Sequence, residues 1–105
     1  MNNINPRLIW EPNYIYIHML ADGINDSGVK RYFRKASSSY IHRKEVRDFI
    51  FTRDNYSCVK CKSGIKLNID HIISVCRITP KNFLFINSVE NLQLLCGKCH
   101  SIKPA

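Results

Sequence analysis

The clearest pattern of hydrophobic and polar positions lies in residues 44–55. Val46, Phe49 and Ile50 fall on one side of a helical wheel there, and charged residues lie elsewhere on the wheel. One apolar stripe of this kind is typical of a helix that packs on a core and exposes its other side to water. We therefore predict an amphipathic helix that ends near Asn55.

A period of two, which is typical of a β-strand, appears in residues 66–74. Leu67, Ile69 and His71 lie on one side of this segment and alternate with other residues that are mostly polar. Residues 82–87, with the sequence NFLFIN, form a second short segment of this kind. We therefore predict two strands in the second half of the chain.

The remaining segments are less regular. Residues 14–21 are apolar at most positions and fit either a strand or a short helix. Residues 29–35 interleave basic residues with two aromatic rings, which fits a nucleic-acid-binding arm and a short amphipathic helix about equally. Residues 36–39 (ASSS) predict a linker or a turn. Asn87, with Glu90 three residues later, has the spacing of a capping box and predicts the start of a helix.

Positive charge is concentrated in the middle of the chain. The formal net charge is +8, and residues 30–66 hold eleven basic and three acidic residues, which is +8 on their own. Such a block favours a polyanionic partner, most often nucleic acid, although a solvated basic face without a partner has the same composition. The residues expected to contact nucleic acid are Lys30, Arg31, Arg34, Lys35, Arg43, Lys44 and Arg47.

Length and composition predict one globular domain. The chain has 105 residues, of which 45% are hydrophobic and 23% are charged. Neither an export signal nor an apolar run of about 20 residues, the length of a membrane span, is visible. We therefore expect a cytoplasmic protein that does not enter a membrane. Cysteines in that reducing compartment serve metal binding more often than disulfides.

Four of the five cysteines form two Cys-x-x-Cys pairs. Cys58 and Cys61 make the first pair, and Cys96 and Cys99 make the second. Two such turns can place four thiolates around one zinc ion at about 2.3 Å, which closes its coordination sphere. We therefore predict a structural zinc site that the fold requires, with two disulfides as the alternative. Cys76 has no partner at ligand spacing.

A second set of polar residues lies between and beside these pairs. It consists of Asp70, His71, Asn91 and His100. A carboxylate and an imidazole suit a divalent ion with open coordination positions. Neighbours on a strand point to opposite faces, so Asp70 and His71 would divide their work between a metal ion and a water molecule. Taken singly, each residue also fits a structural role, such as a turn acid or a histidine that hydrogen-bonds the zinc knuckle.

The segments CVKC, LNIDHI and NLQLLCGKCHSIK, in this order, resemble the zinc-bearing HNH endonucleases. The resemblance covers about residues 43–103. It implies an α+β domain of the ββα-metal fold, in which a two-stranded hairpin and a helix surround one catalytic divalent ion. The expected organisation is an unassigned N-terminal extension at residues 1–40 and an HNH nuclease domain at residues 41–105.

The resemblance also implies a role for each residue of the second set. His71 would be the general base, Asp70 and His100 would hold the catalytic ion, usually Mg²⁺, and Asn91 would orient the loop that carries the base. Family members hydrolyse phosphodiester bonds in DNA and leave a 3′-hydroxyl and a 5′-phosphate. Ser74 departs from the family pattern, because many members have proline at this position.

Two other functions are compatible with the sequence. A zinc-stabilised module that binds DNA without cutting it would share the cysteine pairs and the basic block. Its DNA binding would survive the loss of His71. A zinc scaffold that binds protein is the third hypothesis, and it predicts no DNA binding at low salt. A homodimer would suit cleavage of both strands, although the sequence identifies no interface.

Overall fold

The computed structural model describes residues 9–103, which form five α-helices and a two-stranded antiparallel sheet. The predicted α+β fold is therefore confirmed. In chain order the elements are α1 (Tyr14–Ala21), α2 (Ser27–Ile41), α3 (Lys44–Arg53), β1 (Leu67–His71), a 3₁₀ turn (Val75–Arg77), α4 (Phe83–Ile86), a second 3₁₀ turn (Val89–Asn91), β2 (Leu92–Cys96) and α5 (Gly97–Ile102).

The two strands and the last helix form one unit. β1 and β2 pair so that Leu67 lies opposite Cys96 at one end and His71 lies opposite Leu92 at the other. α5 follows β2 without a loop and contacts both strands. The strand predicted within residues 66–74 is confirmed as β1. This unit places the end of β1 beside α5, where the polar residues of both elements meet.

The prediction of a strand at residues 82–87 is wrong. Phe83–Ile86 form one helical turn, in which Phe83 and Ile86, three positions apart, are more buried than the two residues between them. This spacing is helical, because residues three positions apart share one face of a helix. The actual second strand, Leu92–Cys96, is buried at four of its five positions, so it lacks the alternation that marks a half-buried strand.

Asn87 does not start a helix, in contrast to the prediction. It is the C-cap of α4, and the 3₁₀ turn Val89–Asn91 that follows has Ser88 as its N-cap. This turn leads directly into β2, so the chain never continues as the helix that a capping box would begin. The Asn87 side chain is instead fully buried.

The longest helix, α2, includes residues 29–35, for which the sequence left two interpretations open, and residues 36–39, which were predicted to be a linker or a turn. Its N-cap, Asp26, accepts hydrogen bonds from two backbone N–H groups of the first turn. Phe33 is 1% exposed, so the helical alternative for residues 29–35 is correct. The turn predicted at residues 36–39 is wrong, because packing of the helix overrides the weak helix preference of its serines.

Two hydrophobic clusters join the N-terminal helices to the rest of the fold. The first joins α2, α3 and β2, and the second joins α1 and α2 to α4 and the segment before it. The amphipathic helix predicted at residues 44–55 is confirmed as α3. Val46 and Ile50 are fully buried on it, but Phe49 is 40% exposed. Within residues 9–103, the helices are too short or too polar to cross a membrane.

Candidate active site

Four cysteine sulfurs converge at one end of the strand pair. Cys58 and Cys61 lie in the loop before β1, whereas Cys96 and Cys99 lie at the end of β2 and the start of α5. The four Sγ atoms lie within 4.8 Å of one another, and none of these cysteines is disulfide-bonded. Four sulfurs bound to one ion at about 2.3 Å stand about 3.8 Å apart in a tetrahedron. The cluster therefore has the dimensions of a site for one metal ion.

Hydrogen bonds prepare this cluster for a cation. Burial favours the neutral thiol of Cys58, but backbone N–H groups of three nearby residues, Cys61 first, outweigh burial and lower the pKa of Cys58 to about 6. Its thiolate, the form that binds metals, is therefore present at neutral pH. The neighbouring sulfurs, Cys96 first, raise the pKa of Cys99 to about 12. A metal ion that completes the site would displace the Cys99 proton.

A second polar cluster forms around Asp70, towards the other end of β1. Asp70 is 6% exposed, and its Oδ1 lies 3.6 Å from Nε2 of His100 on α5. Its Oδ2 accepts hydrogen bonds from Gln93 at 3.2 Å and from Lys103 at 2.8 Å. The Lys103 ammonium also donates to the main-chain oxygen of His71. A positive charge thus lies beside the oxygen atoms that would attract a metal cation.

The His71 side chain contacts a different part of the fold from Asp70. Its Nε2 lies 2.7 Å from Oδ1 of Asn87 and 3.1 Å from Oγ of Ser37. Burial lowers the pKa of the His71 imidazole, and the opposing effects of the Asn87 hydrogen bond and the Asp70 charge are smaller. The imidazole is therefore neutral at neutral pH, which is the form that can accept a proton.

Asn91 holds the main chain around the site. Its buried Oδ1 accepts a hydrogen bond from the Ile73 N–H at 2.8 Å. Its Nδ2 donates to the main-chain oxygens of Ile73 at 3.0 Å and of Ile86 at 2.7 Å. Because all three bonds go to the main chain, Asn91 fastens the segment that follows His71 to the end of α4.

A solvent-open cavity of about 650 Å³ brings the polar residues together. Asp70, His71 and His100 line it, as does Arg34 of α2. Asn91 is fully buried and does not line the cavity. The structure therefore unites a carboxylate, two imidazoles and a guanidinium around one space that is large enough for a phosphodiester group.

The seven basic residues predicted to contact nucleic acid are all exposed, and they lie on α2 or in the first turn of α3 and its N-cap. Those on α2 occupy two faces. Lys30 and Arg34 line one groove together, and Arg34 also reaches the cavity. Arg31 and Lys35 line a separate groove on another face of the helix. Of the seven, Arg34 lines the cavity of the polar cluster, and Arg47 of α3 lines a neighbouring groove together with His100.

Comparison with known proteins places this site in a family. The sequence model of the HNH endonucleases matches residues 58–105. A probable HNH endonuclease of Lactococcus phage SK1 is 34% identical over 73 residues, which cover 65% of this chain and 78% of that protein. The chain belongs to the HNH endonuclease family. The predicted family is thereby confirmed, and no solved structure matches the chain significantly.

The HNH match covers only part of the site. It includes both cysteine pairs, both strands and α5, and hence all four residues of the predicted polar set. It does not include α1, α2 or α3. Arg34 and Ser37, which line the cavity, therefore come from a region that the HNH model does not describe.

Several residues that contact this site, among them Lys103, Ser37 and Asn87, were not predicted from the sequence. Lys103 follows His100 by three positions, which places both on one side of a helical turn, and this spacing is a usable signal. Ser37 and Asn87 carry no such signal, because they lie 34 and 16 positions from His71. Only the tertiary fold brings them to the imidazole.

Proposed function

We propose that this HNH family member is a metal-dependent endonuclease that hydrolyses phosphodiester bonds in DNA. The observation that carries the proposal is the convergence of Asp70, His71 and His100 on one cavity. These residue types supply a cation site and a proton acceptor, which are the two requirements for activating water against a phosphodiester. Family membership supports nuclease activity in general, and the roles of individual residues are inferred from the geometry.

Asp70 and His100 would hold the catalytic divalent ion, Mg²⁺ or another divalent metal. Two ligands that bind one ion at about 2.1 Å lie roughly 3–4 Å apart, depending on the angle between them. The 3.6 Å between Asp70 Oδ1 and His100 Nε2 fits this range. The Lys103 ammonium beside Asp70 indicates that the site favours positive charge. A bound ion would neutralise negative charge on the phosphate and on the leaving oxygen.

His71 would act as the general base. It lines the same cavity as Asp70 and His100, and its Nε2 contacts Asn87. Its lowered pKa keeps it neutral and able to take a proton from water. Asn91 would support this role by holding the segment after His71 through its main-chain hydrogen bonds.

The four-sulfur site would bind a structural zinc ion. Four thiolates leave no open position for a water molecule, so the ion would stabilise the fold and not take part in the reaction. Its place in the fold connects it to the catalytic residues. Cys99 precedes His100 on α5, and Cys96 ends β2, so one ion would fix the helix that carries His100 against the strands.

The exposed basic residues of α2 and α3 would hold the DNA backbone. Arg34 is the best placed, because it lines the cavity and can reach a phosphate next to the scissile bond. Binding that depends on neutralising phosphates weakens steeply as salt concentration rises.

Plasmid cleavage tests the proposed function. Supercoiled plasmid is incubated with the protein and Mg²⁺ or Mn²⁺, next to His71→Ala and the control His18→Ala, which changes an exposed histidine on α1. We expect cleavage by wild type and by His18→Ala, and loss of at least about 100-fold in His71→Ala, since a general base contributes about 10²–10⁴. Linear product at early times would indicate paired cutting of both strands by a homodimer.

Two results would contradict the proposal. Equal cleavage by wild type and His71→Ala would exclude His71 as the base. DNA retardation at low salt without cleavage by any divalent ion would show a non-catalytic DNA-binding module. Divalent-ion content and zinc content are measured on each protein, so that an inactive sample is known to be folded and loaded.

A further inference from the structure

Ser37, Asn87 and His71 form a closed group of hydrogen bonds inside the fold. Asn87 Oδ1 lies 2.9 Å from Ser37 Oγ and 2.7 Å from His71 Nε2, and Ser37 Oγ lies 3.1 Å from the same nitrogen. Ser37 is 2% exposed and Asn87 is fully inaccessible. Solvent therefore cannot replace these contacts, and the two residues determine what the inner nitrogen of His71 meets.

The direction of these bonds defines which ring nitrogen carries the proton. An amide oxygen is only an acceptor, so Asn87 Oδ1 accepts from the Ser37 hydroxyl and from a hydrogen on His71 Nε2. Neutral imidazole carries one hydrogen, so its lone pair is then on Nδ1. Among residues 9–103, Nδ1 of His71 has no hydrogen-bond partner, and His71 lines the cavity. The arrangement leaves Nδ1 available for a water molecule.

The oxygen and the nitrogen of the Asn87 amide have different surroundings. Nδ2 is buried and has no hydrogen-bond partner in the described structure, whereas Oδ1 has two donors. Leaving a buried donor unpaired costs roughly 1–3 kcal/mol. Exchanging the oxygen and the nitrogen of this amide would place Nδ2 against His71 Nε2 and move the ring hydrogen to Nδ1, so the tautomer of His71 reports the orientation of the Asn87 amide.

We propose that Ser37 and Asn87 are positioning residues that hold the His71 ring and fix its hydrogen on Nε2, so that Nδ1 faces the reacting water. This inference rests on the proposed role of His71 as general base. It makes α2 a working part of the nuclease site, because Ser37 lies on a helix that the HNH family match does not cover. The N-terminal segment would then contribute to catalysis as well as to DNA binding.

Kinetics of three variants test the proposal. Ser37→Ala removes the hydroxyl, Asn87→Leu removes the acceptor at similar volume, and Ser39→Ala makes the same change as the first on an exposed position of α2. We expect kcat for plasmid nicking to fall about 10-fold in Ser37→Ala and up to about 100-fold in Asn87→Leu, which is the range measured for residues that bind the second nitrogen of a metal-binding histidine. KM for DNA should change less than twofold in both, and Ser39→Ala should match wild type.

A conservative variant separates positioning from folding. Asn87→Asp keeps an oxygen acceptor opposite Nε2, so it should retain at least a third of the wild-type kcat. Asn87→Leu and Asn87→Asp are compared at equal zinc content and with melting temperatures recorded. Equal losses of kcat in the two variants would overturn the proposal, because the acceptor would then be irrelevant.

Nuclear magnetic resonance gives a result that does not depend on cleavage. Long-range ¹H–¹⁵N correlation spectra of histidine-labelled protein, recorded above pH 8 without divalent ion, distinguish protonated from unprotonated ring nitrogens. We expect the Nε2–H form of His71 in wild type and in Asn87→Asp, and a mixture of both forms in Asn87→Leu. An Nδ1–H form in wild type, or no change in Asn87→Leu, would overturn the proposal.

The outcomes distinguish this inference from the function on which it rests. If His71→Ala cleaves like wild type, the proposed function fails whatever the spectra show. If His71→Ala is inactive while Ser37→Ala and Asn87→Leu keep the wild-type kcat, the nuclease proposal stands and the positioning role is excluded.

Discussion

The Lys103 ammonium and the proposed catalytic metal ion would compete for Asp70. The ammonium contacts Asp70 Oδ2 at 2.8 Å and also the main-chain oxygen of His71. Both oxygens are ligands that hard divalent cations prefer. A lysine and a divalent ion cannot both sit close to this carboxylate without repulsion, so the side chain should move away when the ion binds.

Lys103→Met should therefore tighten divalent-ion binding. Two unit charges about 4 Å apart repel by about 1 kcal/mol in water-like surroundings, and more for a divalent ion, so the Kd for Mn²⁺ should fall roughly tenfold. Calorimetric titration of Mn²⁺ into zinc-loaded protein carrying His71→Ala measures this without cleavage. The matched control is Lys98→Met, which changes an exposed lysine on α5, the helix whose C-cap is Lys103. Weaker binding in Lys103→Met would show that the ammonium supports the site.

At the scale of residues, the sequence indicates the proposed catalytic residues but not the residues that hold them in position. Asp70, His71 and His100 were identified because their order relative to the two cysteine pairs resembles that of the HNH endonucleases. Ser37 and Asn87 have no such reference point, since their contact with His71 depends on the packing of α2 and the turn of α4. Spacing rules describe one element at a time, and these contacts join three.

The junction between α3 and β2 is held by one ion pair. Arg53 donates to the main-chain oxygens of Val89 at 2.6 Å and of Leu92 at 2.5 Å. Asp54 pairs with Arg53 at 2.8 Å and accepts the Leu94 N–H at 3.0 Å. Burial raises the pKa of Asp54, but the hydrogen bonds from Arg53 and Leu94 outweigh it, so the pKa is lowered overall. The charged carboxylate therefore stabilises the folded state.

Asp54→Asn should destabilise the protein in a pH-dependent way. At pH 7 we expect a loss of about 1 kcal/mol in the free energy of unfolding, because a charged acceptor becomes a neutral one. The pKa is lowered on folding, so this contribution is complete above the unfolded pKa of about 3.9 and disappears as pH falls through the folded value. Urea unfolding at pH 7, 5 and 3.5 measures the difference between wild type and variant.

The exposed Asp48→Asn is the control for that series. Asp48 pairs with Lys44 on the surface of α3, so its change should cost no more than about 0.5 kcal/mol. Loss of metal from the cysteines at low pH affects all three proteins alike. If the difference in the free energy of unfolding between wild type and Asp54→Asn stayed constant or grew below pH 5, the charged Asp54 carboxylate would not be the source of the stabilisation.

The two faces of α2 should contribute unequally to DNA binding. Arg34 lines the cavity, whereas Arg31 lies in a groove on another face. In a His71→Ala background, Arg34→Ala should weaken binding to a short duplex by about fivefold to tenfold and reduce the salt slope by about one. Arg31→Ala should have a smaller effect on both. Fluorescence anisotropy between 50 and 200 mM salt measures affinity and slope, and equal effects would contradict a docking face on the cavity side.

At the scale of elements, short-range periodicity predicted some segments and misled for others. α3 was correctly predicted because it has one buried and one exposed side, so the spacing of its apolar residues matches the helical period. β1 was correctly predicted from the alternation of apolar and polar residues, although Asp70, on its polar side, is its most buried residue. β2 is buried at four of its five positions, and a strand without a solvent-exposed side shows no alternation of apolar and polar residues. The serines of residues 36–39 have a weak intrinsic preference for the helical conformation. Tertiary packing of α2 therefore determines that they are helical.

At the scale of the whole molecule, the four-sulfur site lies where the loop before β1, the end of β2 and the start of α5 meet. A cluster of Cys58, Leu95 and Cys96 forms the core at this end of the sheet, so the fold there is built around sulfur atoms. The hydrogen bond with Cys96 and burial raise the pKa of Cys99 to about 12, so a cation would be needed for all four sulfurs to be thiolates at neutral pH. Structural zinc sites contribute roughly 10–16 kcal/mol, which is comparable to the whole stability of a small domain.

Loss of the proposed zinc ion should therefore unfold the protein. Cys58→Ser should bind less than one zinc per chain and lose cooperative thermal unfolding, whereas Cys76→Ser, which changes an exposed cysteine outside the cluster, should keep both. Metal content by mass spectrometry and melting followed by circular dichroism measure the two effects. A chelator should reproduce the Cys58→Ser result in wild type. If metal-free protein kept the wild-type melting temperature, the ion would be dispensable for the fold, and the position of His100 on α5 would need another support.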